Sequence, residues 1–275
     1  TNDAPVATFS TTQYANESNR SADPNEQTAP ALSGQLTSSD IDASGSPTFN
    51  LVGASVPGLT LSTTGAWTFD PTDPGYNNLK AGVVKPIDIR YSVTDDRGLS
   101  SEGQFTIRLS GTNDNPTGSP TASITAGIED TWKDITNAQL LQGFTDPEGS
   151  TLRVIGLAVA EDSQVAGSLT KTVSGYRFTP AADQNGNVKL TYMVSDGTGG
   201  SLSSSISFAV SGVEDSPVRT NGTLVDMVLQ EDASYTTLGL QGITYMPGGG
   251  SDESNETLRY FVSFTNPELG QIYNC

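Results

Sequence analysis

The sequence predicts an all-β protein built as a tandem run of β-sandwiches, and three observations carry that expectation. No stretch of a dozen residues has helical periodicity, whereas apolar residues alternate over short runs. Twenty-nine glycines, 15 prolines and abundant Ser, Thr, Asn and Asp supply turns between many short strands. Landmarks also recur about every hundred residues, and 275 residues are too many for one ordinary sandwich.

The repeat is visible at several independent places. Tyr91-Ser92-Val93-Thr94-Asp95 returns as Tyr192-Met193-Val194-Ser195-Asp196, an offset of 101, and Glu129-Asp130 returns as Glu231-Asp232, an offset of 102. Asp40-Ile41-Asp42 aligns with Asp146-Pro147-Glu148 at an offset of 106, and Asp252 lies a further 106 on. The turn sequences TNDAP (1–5), GTNDNPT (111–117) and GVEDSPV (212–218) punctuate the chain at the same interval.

Each repeat carries strand signals. Ala66 to Phe69 alternates Trp67 and Phe69 on one face, and Tyr176-Arg177-Phe178 repeats the pattern. Ile87, Ile89, Tyr91 and Val93 point inward on a second strand, and Phe105, Ile107 and Leu109 on a third. Lys189 to Val194 and Ile206 to Val210 are their counterparts. Asp96-Arg97-Gly98 and Asp196-Gly197-Thr198-Gly199-Gly200 are hairpin turns.

Thirteen Lys and Arg against 31 Asp and Glu leave a formal charge of −18, which opposes binding to nucleic acid or anionic membrane. With no histidine, the chain has no His-based triad, imidazole zinc site or neutral-pH proton shuttle. The single Cys275 permits no internal disulfide. No membrane-spanning run is present, and the opening on Thr1 without a start Met reads as an excerpt from a longer protein.

The runs GAWTFDPTDPGYNNLKAG (65–82) and IRYSVTDDRGLSSEGQFTIRLSGTNDNPT (89–117) resemble the VCBS repeat of large bacterial, RTX-type surface adhesins. GYRFTPAADQNGNVKLTYMVSDGTGG (175–200) with SGVEDSPV (211–218) resembles the cadherin-like tandem repeats of the same kinds of protein. The resemblance implies seven-stranded Greek-key sandwiches of the cadherin or immunoglobulin type, stacked end to end. The implied layout is a linker over 1–5, a VCBS-like sandwich over 6–112 and a calcium linker over 113–116. A cadherin-like sandwich over 117–213, a linker over 214–217 and a partial third domain over 218–275 follow.

The resemblance also implies calcium at the linkers, since Ca²⁺ takes about six to eight hard oxygens that turn carboxylates can supply. At the first linker the implied ligands are Asn113, Asp114 and Asn115, with Glu17 and Asp73 from one side and Asp146, Glu148 and Asp196 from the other. At the second they are Glu214 and Asp215, with Glu129, Asp130 and Asp183, and Asp252 beyond; the counterpart of Glu148 there is Glu253 or Ser254. Asp40, Asp42, Asp95 and Asp96, with Asn2 and Asp3, would face an upstream neighbour. The first linker carries the fuller set. For any one of these residues the competing reading is a solvated, turn-forming Asx position.

The implied function is a calcium-rigidified extracellular spacer at the bacterial cell surface, partnered by neighbouring domains of its own chain and not an enzyme. Paired acids such as Asp40 and Asp42 could resemble glycosidase carboxylates, but catalysis needs one site and not a series. The alternative is that one sandwich is itself an adhesion module for host or matrix glycans, or for a peptide strand. Trp132 and Tyr176 support it, and Trp67 with Trp132 could form a sugar-stacking platform.

Overall fold

The computed structural model describes residues 1–17, 30–42, 45–223, 240–250 and 252–261. It forms two compact units: Thr1–Ala122 with Asn137–Leu157 and Thr191–Ser205, and Ser123–Thr136 with Ala158–Leu190 and Ile206–Cys275. Glu231, Asp232 and Cys275 lie outside the described residues.

Among the described residues the first sandwich has nine strands: β1 (Val6–Ala7), β2 (Thr12–Asn16), β3 (Leu32–Gln35), β4 (Ser38–Ser39), β5 (Thr48–Leu51), β6 (Leu59–Leu61), β7 (Ala66–Phe69), β8 (Val84–Thr94) and β9 (Ser100–Ser110). A four-stranded sheet has the order β2-β9-β8-β5 and a three-stranded sheet the order β3-β7-β6. Between these two sheets the chain changes over from β2 to β3, from β3 to β5, from β5 to β6 and from β7 to β8, which is Greek-key wiring. β2 runs parallel to β9, while β1 pairs antiparallel with β4.

The alternation read from the sequence sets the core. Ile87, Ile89, Tyr91 and Val93 of β8 and Phe105, Ile107 and Leu109 of β9 are buried against Trp67 and Phe69 of β7. Trp67 packs on Phe105 with ring centroids 5.0 Å apart, and Phe9 stands edge-on to Phe105 at 5.3 Å. Gly34 makes this possible, because a Cβ there would sit 2.5 Å from the indole. Trp67 is only 2% exposed, so it has no free face for a sugar and belongs to the core.

The second sandwich repeats the wiring. Its strands are β10 (Thr117–Gly118), β11 (Gly127–Ile128), β12 (Lys133–Thr136), β13 (Phe144–Thr145), β14 (Arg153–Val159), β15 (Gly167–Lys171), β16 (Gly175–Pro180), β17 (Gly186–Ser195) and β18 (Ser201–Ser211). The sheets are β11-β18-β17-β14 and β12-β16-β15, with β11 parallel to β18. A five-residue helix, α1 (Asn137–Leu141), joins β12 to β13 and buries Leu140. In the first unit Leu140, Phe144, Tyr192 and Val194 are buried, and the Tyr192 hydroxyl donates to the Leu140 carbonyl at 2.8 Å. In the second unit Ile135, Phe178, Val188, Leu190, Phe208 and Val210 are among the buried residues, with Phe178 edge-on to Phe208.

A third opening follows. β19 (Val218–Asn221) pairs antiparallel with β20 (Thr244–Met246), aligning Val218 with Met246. β10 and β13 align Thr117 with Thr145, so both partners recur at an offset of 101. β1 with β4 is the same pairing at the start of the chain.

Candidate metal centres at the linkers

Each linker is tied by one recurring hydrogen bond, from the backbone of a linker aspartate to an acid that follows the paired opening strands. The Asp3 N–H donates to Asp42 Oδ2 at 2.9 Å, the Asp114 N–H to Glu148 Oε1 at 2.9 Å, and the Asp215 N–H to Glu253 Oε1 at 3.3 Å. A second acid closes the last two sets from below. The parallel ladders end with the Glu17 N–H on the Ser110 carbonyl and the Glu129 N–H on the Ser211 carbonyl. That register hangs each glutamate over the start of its linker, where Glu17 accepts the Thr112 N–H at 3.4 Å and Glu129 accepts the Val213 N–H.

The first linker group lies wholly within the first unit. Glu17, Glu148 and Asp196 are 3%, 7% and 5% exposed, and among the described residues no cationic side chain is hydrogen-bonded to them. Glu17 Oε1, Glu148 Oε2 and Asp146 Oδ2 are buried without a hydrogen-bond partner. Burial pushes the Glu17 carboxyl up to about 7, opposed by the Thr112 N–H and reinforced by the charges of Asp114 and Glu148. Burial likewise raises Glu148, against two backbone N–H bonds and with Asp114 and Asp146 adding to the rise.

Asp196 is different because its turn is folded around it. It accepts the N–H groups of Thr198, Gly199 and Gly200, and Asn113 Nδ2 donates to its Oδ2 at 2.7 Å. Burial raises its pKa, but these hydrogen bonds together outweigh it and hold the carboxyl below its usual range. Asn113 Oδ1 accepts the Thr198 hydroxyl at 2.6 Å, and Asn115 Oδ1 accepts the Ser201 N–H at 2.9 Å. Gly200 is required here, since a Cβ would lie 2.3 Å from Asp196 Oδ2.

The second linker group lies wholly within the second unit and holds more carboxylates at shorter range. Glu129, Asp252 and Glu253 offer oxygens within 4.8 Å of one another, and so do Asp130, Asp183 and Asp215. Glu129 and Glu253 are 1% and 2% exposed, and their Oε2 atoms have no hydrogen-bond partner. Burial raises Asp215, and the charges of Asp183, Asp130 and Asp252 add to it. Burial also raises Glu253, as does a carboxyl contact with Asp252. Asp130 and Asp183 take left-handed backbone at φ 54° and 56°, which aspartate tolerates, and the Asp183 N–H caps Asp130 Oδ1 at 3.1 Å. The Gly248–Gly250 loop wraps this group closely: a Cβ at Gly249 would meet Asp215 Oδ2 at 2.3 Å and Glu253 Oε2 at 2.6 Å.

Residues 112–211 match the family model of a cadherin-like domain. Residues 2–108 match that of a bacterial Ig domain, where the sequence had suggested a VCBS repeat. No curated protein matches the chain. Among solved structures, the protocadherin gamma B7 extracellular cadherin domains 1–4 are 16% identical, with 75% of this chain and 49% of that chain covered and a TM-score of 0.40. Human protocadherin-24 EC1-2 is 12% identical, covering 78% and 100% with a TM-score of 0.41. The human desmocollin-1 ectodomain is 12% identical, covering 90% and 46% with a TM-score of 0.39. The chain spans about half the length of the first-mentioned protocadherin.

Among the described residues the three-carboxylate groups fall at the second linker, whereas the fuller set was expected at the first. Asp73 Oδ1 caps a 3₁₀ turn by accepting the Gly75 N–H at 2.9 Å. At the N-terminal set, Asn2 Nδ2 donates to Asp95 Oδ2 at 2.7 Å, the Asp42 N–H to Asp40 Oδ1, and Arg97 to Asn2 Oδ1, so a cation already stands among these acids. Asp96 lies against Gly45. The contact of the Glu214 carboxyl is the first cause of the raised Glu256 pKa. Sequence reading missed Glu256 and left Glu253 undecided against Ser254. The bond from the Asp215 N–H identifies Glu253 as the counterpart of Glu148.

Proposed function

We propose that this chain is an extracellular spacer of an adhesin-type surface protein, with consecutive sandwiches held in line by Ca²⁺ at the linkers. One observation carries the reading: two glutamates buried at the second linker, Glu129 and Glu253, each keep a carboxylate oxygen with no hydrogen-bond partner beside further carboxylates. Packing like charges out of water without a partner is costly, and a hard divalent cation is the partner that takes several carboxylates at once. In this reading Glu129, Asp252 and Glu253 hold one ion and Asp130, Asp183 and Asp215 a second, with Glu214 nearby. Glu17, Asp114, Asp146 and Glu148 hold an ion at the first linker, with Asn113, Asn115 and Asp196 framing it. Asn2, Asp3, Asp40, Asp42, Asp95 and Asp96 form the corresponding half-site at the start.

The matched cadherin-like and bacterial Ig models support an extracellular adhesin-type setting, and among the described residues no helix is long and apolar enough to cross a membrane. Domain limits of 6–112 and 117–213, a partial third domain over 218–275, a VCBS-type first repeat and an RTX-type parent adhesin belong to the same reading. The repeated acids serve structure and not catalysis. Strands of about ten residues at roughly 3.3 Å each make every sandwich a spacer on the order of 30 Å long.

Terbium titration tests the reading, because Trp132 is 58% exposed, lies two residues from Asp130 and can sensitise a bound lanthanide. Ca²⁺ should displace terbium with a dissociation constant of about 10⁻⁴ to 10⁻³ M. Small-angle scattering should report a more flexible chain in EGTA. Absence of sensitised emission together with a scattering profile indifferent to EGTA would refute the calcium spacer.

A further inference from the structure

The two sandwiches treat one sheet edge in opposite ways. In the second, the chain after β14 folds back over β17: the Ala160 N–H donates to the Lys189 carbonyl at 2.9 Å and the Gln164 N–H to the Asn187 carbonyl at 3.1 Å. The other two edge groups are met by side chains, the Lys189 N–H by Ser163 Oγ and the Asn187 N–H by Gln164 Oε1. An ion pair crosses the covered edge, Lys189 Nζ to Asp162 Oδ2 at 2.6 Å.

In the first sandwich β5 pairs with β8 only over Thr48–Leu51 against Tyr91–Thr94, and the Val52 N–H reaches the Arg90 carbonyl. Among the described residues, from Ile89 back to Val84, β8 pairs with β9 alone. Antiparallel alternation puts the Asp88 N–H and C=O and the Pro86 C=O on the same side as the Arg90 carbonyl, facing away from β9. On that side lies an open groove of about 370 Å³, lined by Val52, Val56, Pro57, Tyr76, Lys85 and Ile87. Pro86 blunts one end of the edge, since it has no N–H to offer.

At the 101-residue offset Asp88 stands where Lys189 stands in the second sandwich, so the sign of the edge charge is reversed. Arg90 is already paired with Glu102, and Lys85 lies over the Tyr76 ring at 5.1 Å. Asp88 therefore sets the charge that an incoming strand must match at this register.

We propose that the β8 edge at Pro86–Arg90 is a docking site for an extended segment of another polypeptide that carries a lysine or arginine opposite Asp88 and an apolar side chain directed into the groove. Main-chain hydrogen bonds supply the affinity, while Asp88 and the groove select the sequence. The site is independent of the linkers, so its failure and that of the calcium spacer are separable.

The test uses the full chain, ¹⁵N-labelled, and two synthetic heptapeptides: the sequence Val159–Val165, which covers the edge in the second sandwich, and its Asp162→Lys counterpart. The lysine peptide should shift the Asp88 and Arg90 amides and bind about two- to fivefold more tightly than the aspartate peptide. Asp88→Lys, an exposed substitution that leaves the core intact, should reverse the preference. No shift at the β8 edge with either peptide, or a preference unmoved by Asp88→Lys, overturns the proposal. Self-association of the full chain that Asp88→Lys abolishes would make the occupant a second copy and overturn it as stated.

Discussion

The two linkers share a backbone plan and differ in how their carboxylates are satisfied. At the first, Asp196 is saturated by its own turn and by Asn113, and Asn115 anchors Ser201, so much of the geometry is held by amides. At the second, the counterpart of Asn113 is the acid Glu214 and that of Asn115 is Ser216. There the charges of Asp183, Asp130 and Asp252 bear on Asp215, while Asp130, Asp252 and Glu253 accept the Asp183 N–H, Asn185 Nδ2 and the Asp215 N–H. The contrast teaches that acid count alone does not measure dependence on a cation. A carboxylate fed by three N–H groups is already stabilised, whereas one buried beside other carboxylates is not.

The largest expected effect separates the linkers by cation removal. With free Ca²⁺ about a hundredfold above the dissociation constant, binding contributes about 2.7 kcal/mol per site, lost on chelation. Glu129→Gln with Glu253→Gln should remove most of the EGTA-induced drop in Tm seen by calorimetry, and Glu17→Gln with Glu148→Gln a smaller part. Equal losses would show that the linkers do not differ. Asp196→Ala should act the other way, lowering Tm by a similar amount with or without Ca²⁺, because it strands the N–H groups of Thr198, Gly199 and Gly200 at about 1–3 kcal/mol. Next comes Gly249→Ala, whose methyl would collide with Asp215 Oδ2 and Glu253 Oε2 on left-handed backbone. It should weaken terbium binding by about tenfold or more.

How much of this was legible in the sequence depends on the range of the interaction. The alternation in Ile87–Val93 and Phe105–Leu109 reports burial directly, so the strands and core read correctly. The recurring turn sequences around Asp114 and Asp215 put the expected linkers there, whereas Glu17 and Glu129 were expected only from the family resemblance. Glu253 was ambiguous because Gly248–Gly250 lengthen the loop before it, and the hydrogen bond from Asp215 fixes its register. Asp73 sits in a loop rich in turn residues, where capping and ligation ask for the same side chain. Gly34 could not be singled out among 29 glycines until its strand was laid against Trp67. The five residues of α1 are too few to show a helical period, although Leu140 is wholly buried there.

The smallest effect is a pH dependence, and its sign sharpens the comparison further. Glu17 titrates near 4.5 in an unfolded chain and at about 7 in the fold, where burial disfavours its charge. Between those values the folded state binds more protons than the unfolded state, so stability without metal falls as pH rises from about 4.5 to 7. In EGTA, Tm should therefore be higher at pH 5 than at pH 7.5, once the rest of the chain is controlled for with Glu17→Gln. That variant should flatten the slope and be the more stable form at pH 7.5, since an amide keeps the Thr112 contact without a buried charge. Saturating Ca²⁺ should reverse the slope in the parent chain, because the ion binds only the deprotonated carboxylate. A Tm in EGTA that rises from pH 5 to 7.5 in the parent but not in Glu17→Gln would mean that the first linker stabilises the Glu17 charge by itself.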